Sequence, residues 1–144
     1  MSRVQLALNV SDIDAAVAFY SKLFATEPAK RRPGYANFAI AEPPLKLVLF
    51  ESENGGTLNH LGVEVATADE VTQATGRLRD DGLDTATEDN VTCCYAVQDK
   101  VWVDDPDGAP WEIYTVLADT DGTQHSELRT EGPGSSCSCD IGAS

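Results

Sequence analysis

The chain has 144 residues, 42% of them hydrophobic, and a formal net charge of −14 at pH 7. This length suits a single domain with a buried core. So acidic a chain has little with which to neutralise phosphates, which argues against nucleic acid and anionic membranes as partners. No apolar run reaches the ~18 residues of a membrane helix, and the start lacks the pattern of a secretory signal. We therefore expect a cytoplasmic protein whose four cysteines stay reduced.

In the first half of the chain, residues 4–10 alternate between apolar and polar side chains, which predicts a half-buried strand. Ser11, followed by Asp14, marks the start of a helix. Two more strands are predicted in the runs YANFAI and LKLVLF, on either side of Glu-Pro-Pro. The helix is indicated by apolar residues that recur at helical spacing, namely Ile13, Ala16, Val17, Tyr20, Leu23 and Phe24.

The second half repeats this order at a constant offset, which places His60 where the first half has Gln5. After another alternating strand, Thr67 and Glu70 form a capping box for a second helix. Gly82 suits the end of that helix. Further strands are predicted in CCYAVQ, KVWVDD and PWEIYTV, and the run ENGG joins the two halves.

Each half therefore consists of a strand, a helix and then two or three strands. This order predicts an α+β fold with the helices on one face of each sheet. We expect one domain of residues 1–118, built from modules of about 1–54 and 55–118. Residues 119–144 are polar and rich in Gly and Ser, which predicts a disordered acidic tail that carries Cys137 and Cys139.

Three polar side chains occupy strand positions from which they could bind a divalent ion. Alternation puts Gln5 on the face of the first strand opposite its apolar residues. His60 has the equivalent place in the second half, and Glu112 lies between two apolar neighbours. Each of the three, taken alone, is better explained as a structural or solvated residue. The shared repeat position of Gln5 and His60 favours a joint metal site, whereas His125 in the tail is expected to be solvated.

The paired modules, with the turn and strand DPDGAPWEIY, resemble the vicinal oxygen chelate superfamily. That group includes glyoxalase I, extradiol dioxygenases, and fosfomycin and bleomycin resistance proteins. The resemblance implies two βαβββ modules that form a metal-containing cleft, with Gln5, His60 and Glu112 as the metal ligands. A fourth ligand, used by glyoxalase I, would fall near Leu47, where this sequence has no carboxylate. This difference disfavours glyoxalase I.

A closer resemblance covers roughly residues 3–119 and rests on VQLALNV, GYANFAI, PPLKLVLFE, GTLNHLGVEV, TCC, QDKVWV and WEIYTVLAD. These segments are similar to the ArsI carbon–arsenic lyases and the cadmium-induced CadI proteins. The resemblance implies an Fe(II)- and O2-dependent lyase that converts methylarsenite to arsenite and formaldehyde, and that could also dearylate trivalent aromatic arsenicals. Gln5 stands where extradiol enzymes have a histidine. Because an amide oxygen is a weaker donor than imidazole, we expect iron to be held less tightly than by two histidines and a carboxylate.

The adjacent cysteines Cys93 and Cys94 are expected to bind the arsenical substrate. Trivalent arsenic is thiophilic, and two neighbouring thiolates can replace its two exchangeable oxygens while leaving the carbon substituent free. The alternative is that one cysteine is buried and the other exposed in a strand. Tyr95 could line the substrate pocket or pack in the core. Cys137 and Cys139 are expected to serve as an auxiliary site for arsenic or soft metals, or to be a chance pair.

Three other functions stay open on the sequence alone. The first is a binding protein that sequesters cadmium or arsenic without catalysis. The second is another metal-dependent reaction of the superfamily, such as thiol transfer to an antibiotic or glyoxalase isomerisation. The third is an antibiotic-binding dimer without metal. The preferred organic group on arsenic and the oligomeric state are not defined by the sequence.

Overall fold

The computed structural model describes residues 2–93 and 96–119. Its backbone divides into two compact units, one of Arg3–Leu61 and one that begins at Gly62. Within the described ranges, no helix is both long enough and apolar enough to cross a membrane. The elements are β1 (Arg3–Val10), α1 (Ile13–Leu23), β2 (Lys30–Arg32), β3 (Tyr35–Ile40), β4 (Leu45–Glu51), β5 (Thr57–Glu64), α2 (Ala68–Asp80), β6 (Ala86–Cys93), β7 (Ala96–Asp104) and β8 (Pro110–Asp119).

This order contains the sequence βαβββ twice, as the repeat predicts. Helix α1 begins at Ile13 and helix α2 at Ala68, the same offset that relates Gln5 to His60. The predicted α+β class is therefore confirmed. The joint ENGG lies in the turn between β4 and β5, where Gly55 is packed so closely that a Cβ would come within 2.6 Å of the Ser11 backbone nitrogen.

The first unit contains strands in the order β2-β3-β4-β1-β5, with β1 parallel to β4 and β3 antiparallel to both of its neighbours. Helix α1 packs on one face of these strands because Ile13 and Val17 form a core with β3 and β4. The alternation of β1 turns its apolar residues to this core, as predicted; these are Leu6, Leu8 and Val10. The opposite face of β1 carries Gln5.

The helix start in the first unit differs from the prediction by one residue. Asp12, not Ser11, is the N-cap of α1, and its carboxylate accepts a hydrogen bond from the Ala15 backbone N–H at 3.1 Å. Both residue types suit this position, and Asp12 has the extended backbone from which its side chain reaches the first turn.

The second unit contains β8, β7 and β6 as antiparallel neighbours. Helix α2 begins at the predicted capping box, in which Thr67 and Glu70 satisfy each other's backbone N–H groups. It ends just before Gly82, whose φ of +85° is the left-handed conformation expected of a helix stop. Its apolar side packs on β7 and β8 through Val71, Leu78, Val101, Val103 and Ile113.

One strand prediction in this unit differs from the structure, and strand β6 was not predicted. CCYAVQ is not one strand, because Cys93 ends β6 and Ala96 begins β7, which then continues to Asp104. Strand β6, Ala86–Cys93, was not predicted, and neither was the short β2 in the first unit. Both missed strands are largely polar, so they lack the apolar alternation by which a strand is recognised.

Candidate functional site

Gln5 and His60 both belong to the first unit, and their side chains are buried and in contact. They are only 4% and 3% exposed, and the Gln5 Nε2 atom lies 3.1 Å from the His60 Nε2 atom. The Phe50 ring lies beside the imidazole, with 6.2 Å between the ring centroids. The structure thus brings together two of the three predicted metal ligands, on the face of β1 that is turned away from α1.

The second ring nitrogen of His60 is held by a chain of side-chain hydrogen bonds. His60 Nδ1 lies 2.7 Å from Asn59 Oδ1, and Asn59 Nδ2 donates to Asn9 Oδ1 at 2.9 Å. Asn9 Nδ2 donates to Thr57 Oγ1 at 2.9 Å, and that hydroxyl donates to the Asn54 backbone carbonyl at 2.6 Å. These hydrogen bonds were not predicted from the sequence. The available signal was the even spacing of Gln5 and Asn9 on β1, which puts both side chains on the same face.

The β4 position across from Gln5 is Lys46, because β1 and β4 pair in parallel with these two residues in register. Leu47 is paired with Leu6 and belongs to the core under α1, where it is 1% exposed. The β4 position near Leu47 that lies across from Gln5 is therefore occupied by Lys46. A lysine does not supply a carboxylate ligand, so the conclusion drawn against glyoxalase I is unchanged.

Glu112 belongs to the second unit and is buried there in an ion pair. It is 3% exposed and Lys100 is 1% exposed, and Lys100 Nζ lies 2.8 Å from Glu112 Oε1. The ammonium group also lies over the rings of Trp102 and Tyr114, at 5.3 and 6.0 Å from their centroids. Cation–π contacts of this kind add to the attraction of the carboxylate. Glu112 points away from the apolar layer under α2, because its neighbour Ile113 packs in that layer.

The surroundings of this ion pair are polar and aromatic. Trp102 Nε1 donates to Glu88 Oε1 at 3.2 Å, and the Tyr114 hydroxyl donates to Glu64 Oε1 at 3.0 Å. Gln98, two residues before Lys100 on β7, is 4% exposed. Sequence reasoning missed these residues. The signal that could have found them is the alternation of β7, in which Gln98 and Lys100 share a face with Trp102.

The predicted substrate-binding cysteines lie at the boundary of the described residues. Cys93 is the last residue of β6, where its backbone is paired with Ala96 of β7. Cys94 and Tyr95 lie outside the described residues, as do His125, Cys137 and Cys139. The thiol pair and the auxiliary site in the tail both stay predictions.

Residues 3–113 match the protein family described as the Glyoxalase/Bleomycin resistance protein/Dioxygenase superfamily. The chain belongs to this superfamily. It is 58% identical to the cadmium-induced protein CadI of Mycobacterium tuberculosis, over 100% of this chain and 99% of that protein. It is 62% identical to the trivalent organoarsenical cleaving enzyme of Thermomonospora curvata, over 84% of this chain and 82% of that enzyme. The predicted resemblance is thereby confirmed.

A solved structure gives the same result for the fold. The Mn(II)-bound glyoxalase of Novosphingobium aromaticivorans matches with a TM-score of 0.61 and 19% identity, over 88% of this chain and 44% of that one. At such low identity the match concerns the fold alone. It confirms the predicted vicinal oxygen chelate fold.

The predicted ligands Gln5, His60 and Glu112 have donor atoms of the kinds that divalent metal ions bind. Imidazole nitrogen, amide oxygen and carboxylate oxygen all bind divalent ions of the first transition row. In the described ranges, no three His, Cys, Asp or Glu side chains lie together as a metal site. The predicted ligands Gln5, His60 and Glu112 include only two residues of these four types. A cluster of three such residues is therefore not needed for the predicted site. Gln5 and His60 fit a metal ion because their polar atoms are buried and adjacent.

Proposed function

We propose that this protein is a non-haem iron lyase that cleaves the carbon–arsenic bond of trivalent organoarsenicals in the cytoplasm. The structural observation that carries the proposal is the buried contact between Gln5 and His60 in a superfamily fold. The choice of substrate is supported by 62% identity to a trivalent organoarsenical cleaving enzyme. Methylarsenite is the proposed substrate, and trivalent aromatic arsenicals are further candidates.

In this proposal Gln5, His60 and Glu112 hold Fe(II). His60 contributes Nε2, because its Nδ1 is engaged with Asn59. Gln5 contributes Oε1, the amide atom that carries lone pairs. Glu112 contributes a carboxylate oxygen, while Lys100 holds Oε1 of the same group. When bound, Fe(II) supplies the redox chemistry with O2, which protein side chains cannot provide.

Cys93 and Cys94 are proposed to capture the substrate. Two thiols react with methylarsenous acid, CH3As(OH)2, so that two As–S bonds form, two As–O bonds break and two molecules of water leave. The As–CH3 bond is untouched by this exchange and stays available for cleavage. Because the thiols are adjacent, the second bond forms within one molecule and gains from a high effective concentration. The captured group is thus held in one orientation.

The overall reaction needs no reductant beyond the substrate. Methylarsenous acid and one O2 together contain the atoms of arsenous acid and formaldehyde. The methyl carbon is oxidised by four electrons, arsenic stays trivalent, and one O2 accepts all four electrons. One equivalent of O2 should therefore disappear for each equivalent of arsenite and of formaldehyde formed.

Anaerobic reconstitution tests the proposal. The full-length protein is loaded with Fe(II) without oxygen, mixed with excess methylarsenite, and divided into portions with and without O2. We expect multiple turnovers to arsenite only in the aerated portion. Arsenic speciation by liquid chromatography and a formaldehyde assay measure the products. A stoichiometric protein–arsenical complex with no arsenite in the presence of iron and O2 would contradict the proposal.

A second candidate function is sequestration of cadmium or arsenic without catalysis. The observation that favours it is the 58% identity to a cadmium-induced protein over the whole of this chain. In that case Cd(II) should bind at one or more equivalents per chain with no dependence on Fe(II), and arsenicals should be recovered unchanged after denaturation. The speciation experiment above separates the two functions.

A double variant at the thiol pair should prevent capture of the substrate. In Cys93→Ser/Cys94→Ser we expect turnover of methylarsenite to be lost at substrate concentrations near those of the enzyme, because hydroxyls do not replace thiolates on As(III). Cys137→Ser/Cys139→Ser is the matched control, with the same number of sulfurs removed, and should retain most of its turnover. Arsenite release under air measures both. Equal loss in the two variants would refute the assignment of Cys93 and Cys94.

A variant at Gln5 should change how tightly iron is held. In Gln5→His the site would contain two imidazoles and a carboxylate, the set that non-haem Fe(II) proteins commonly use. We expect the dissociation constant for Fe(II) to fall several-fold in Gln5→His and to rise in Gln5→Leu, since leucine has no donor atom. Competition with a chromogenic chelator under argon measures both constants. Identical constants in the two variants would show that residue 5 does not ligate iron.

A further inference from the structure

We propose that Thr57, Asn9 and Asn59 are positioning residues that fix His60 in the tautomer with its proton on Nδ1. These three side chains form a hydrogen-bonded relay that runs from the Asn54 carbonyl to His60. This tautomer leaves the lone pair on Nε2, the nitrogen that faces Gln5. The tautomer follows from the contacts themselves, and its use in holding iron rests on the proposed function.

The direction of the relay is set at its far end. The Asn54 backbone carbonyl has no proton, so the Thr57 hydroxyl must donate to it across 2.6 Å. Having donated its proton, Thr57 Oγ1 can only accept from its other neighbour, Asn9, at 2.9 Å. The amide of Asn9 must therefore turn its Nδ2 toward Thr57, which leaves its Oδ1 facing Asn59.

The same reasoning carries the direction on to the imidazole. Asn9 Oδ1 can only accept, so Asn59 turns its Nδ2 toward Asn9, at 2.9 Å. The Oδ1 atom of Asn59 then faces His60 Nδ1 at 2.7 Å. An amide oxygen has no proton to give, so the hydrogen must be on Nδ1. A neutral imidazole carries one proton, and Nε2 is left as the acceptor toward Gln5 Nε2 at 3.1 Å.

Within the relay, Thr57 determines the direction in which the hydrogen bonds run. Each asparagine amide can reverse by exchanging its oxygen and nitrogen, and a reversed chain would have as many hydrogen bonds between Asn9 and His60. In the reversed chain Asn59 would donate to His60 Nδ1, and the imidazole proton would move to Nε2. Because the Thr57 hydroxyl donates to the Asn54 carbonyl, it cannot also donate to Asn9, and the reversed arrangement is excluded.

This arrangement bears directly on metal binding. Histidine ligands generally donate their second ring N–H to a fixed acceptor, which sets the tautomer and the ring orientation. Here the acceptor is Asn59, and the orientation of that amide depends on a residue two contacts away. A proton on Nε2 would block the nitrogen beside Gln5. Loss of the Thr57 hydroxyl should therefore weaken binding by about 10-fold or more, the effect common for such outer partners.

The test compares Thr57→Val with Thr57→Ser, which differ in whether the hydroxyl is present. The full-length, metal-free protein is labelled with 15N-histidine, and two-bond 15N–1H correlation spectra are recorded, which distinguish the two neutral tautomers of the ring from each other and from the doubly protonated ring. The chain has two histidines, so a His125→Ala sample assigns the signals. Backbone amide spectra check that each variant keeps the fold.

In the wild type and in Thr57→Ser we expect the pattern of a proton on His60 Nδ1. In Thr57→Val we expect a measurable share of the Nε2-protonated pattern, together with weaker binding of Mn(II). A wild-type spectrum with the proton on Nε2 would overturn the proposal, as would identical tautomer ratios in the valine and serine variants.

Variants at Asn59 give an independent measurement. Asn59→Asp keeps an oxygen acceptor beside Nδ1 and should keep the wild-type tautomer, while Asn59→Leu removes the acceptor and should lose it. Asn37→Ala, which removes a buried amide that contacts Tyr35 and not the relay, is the control. The spectra need neither metal nor arsenical. Correct tautomers without carbon–arsenic cleavage would therefore reject the proposed function and leave the relay, whereas cleavage with the wrong tautomers would reject the relay alone.

Discussion

The His60→Ala variant is expected to lose Fe(II)-dependent release of arsenite, down to the level of the iron-free protein. His60 is the single histidine in the proposed ligand set, and its Nε2 contacts Gln5 where both side chains are almost completely buried. An alanine there provides no donor atom, and water bound in the vacated space would be a poorer ligand than imidazole. We therefore expect the iron content after desalting to fall together with the activity.

His125→Ala is the matched control for this variant, because it removes the other histidine of the chain. It should retain both the iron content and the turnover of the unmodified protein. Arsenite release under air and metal analysis of the desalted protein provide the two measurements. Turnover by His60→Ala at the unmodified rate, with iron bound, would exclude His60 as a ligand. Loss of turnover with full iron content would place its role outside metal binding.

The fold was predictable where short-range chemistry is specific. The capping box of Thr67 and Glu70 defined the start of α2, because each residue needs the other at that spacing. At α1 the predicted start was Ser11, whereas the next residue, Asp12, is the N-cap, and both residue types can cap a helix. Which one does so depends on the backbone path out of β1, and sequence pattern alone does not define that path.

The missed strands were those formed by long-range pairing. Strand β2 consists of Lys30–Arg32 and has no apolar alternation, yet it pairs with β3. Strand β6 contains only one large apolar residue, Val91, and pairs with β7 through an irregularity between Glu88 and Val91. Such strands take their conformation from a partner elsewhere in the chain, so their own residues carry little signal.

For the candidate site, the strand positions of the proposed ligands could be predicted from the sequence, but the contacts of their side chains could not. The repeat placed Gln5 and His60 at equivalent positions, and their contact is consistent with that reasoning. The hydrogen-bond relay depends on which way two asparagine amides turn, which is set by atoms on separate strands and a turn. Lys100 was missed because lysine is rarely buried without a partner, and its partner Glu112 is adjacent only through the register of β7 and β8.

The second large effect is expected at Lys100. In the metal-free protein, Lys100→Met would leave the Glu112 carboxylate buried without its ammonium partner, which lies at 2.8 Å in the native structure. Removing one member of a buried ion pair typically costs about 3–5 kcal/mol of unfolding free energy. We expect a loss of this size, measured by urea unfolding in the presence of a chelator. Lys22→Met, at an exposed lysine in the last turn of α1, should lose no more than about 1 kcal/mol.

Two further measurements connect this loss of stability to the proposed metal site. In Lys100→Met/Glu112→Gln both charges are absent, so most of the lost stability should return, and the double-mutant cycle isolates the coupling between the two residues. If Glu112 ligates a divalent ion, the ion can replace the missing ammonium as the partner of the carboxylate. Mn(II) should then raise the melting temperature of Lys100→Met more than that of the unmodified protein, since binding to the folded state alone stabilises it. An equal shift in both proteins would show that Glu112 is a structural partner of Lys100 and not a metal ligand, whatever the size of the destabilisation.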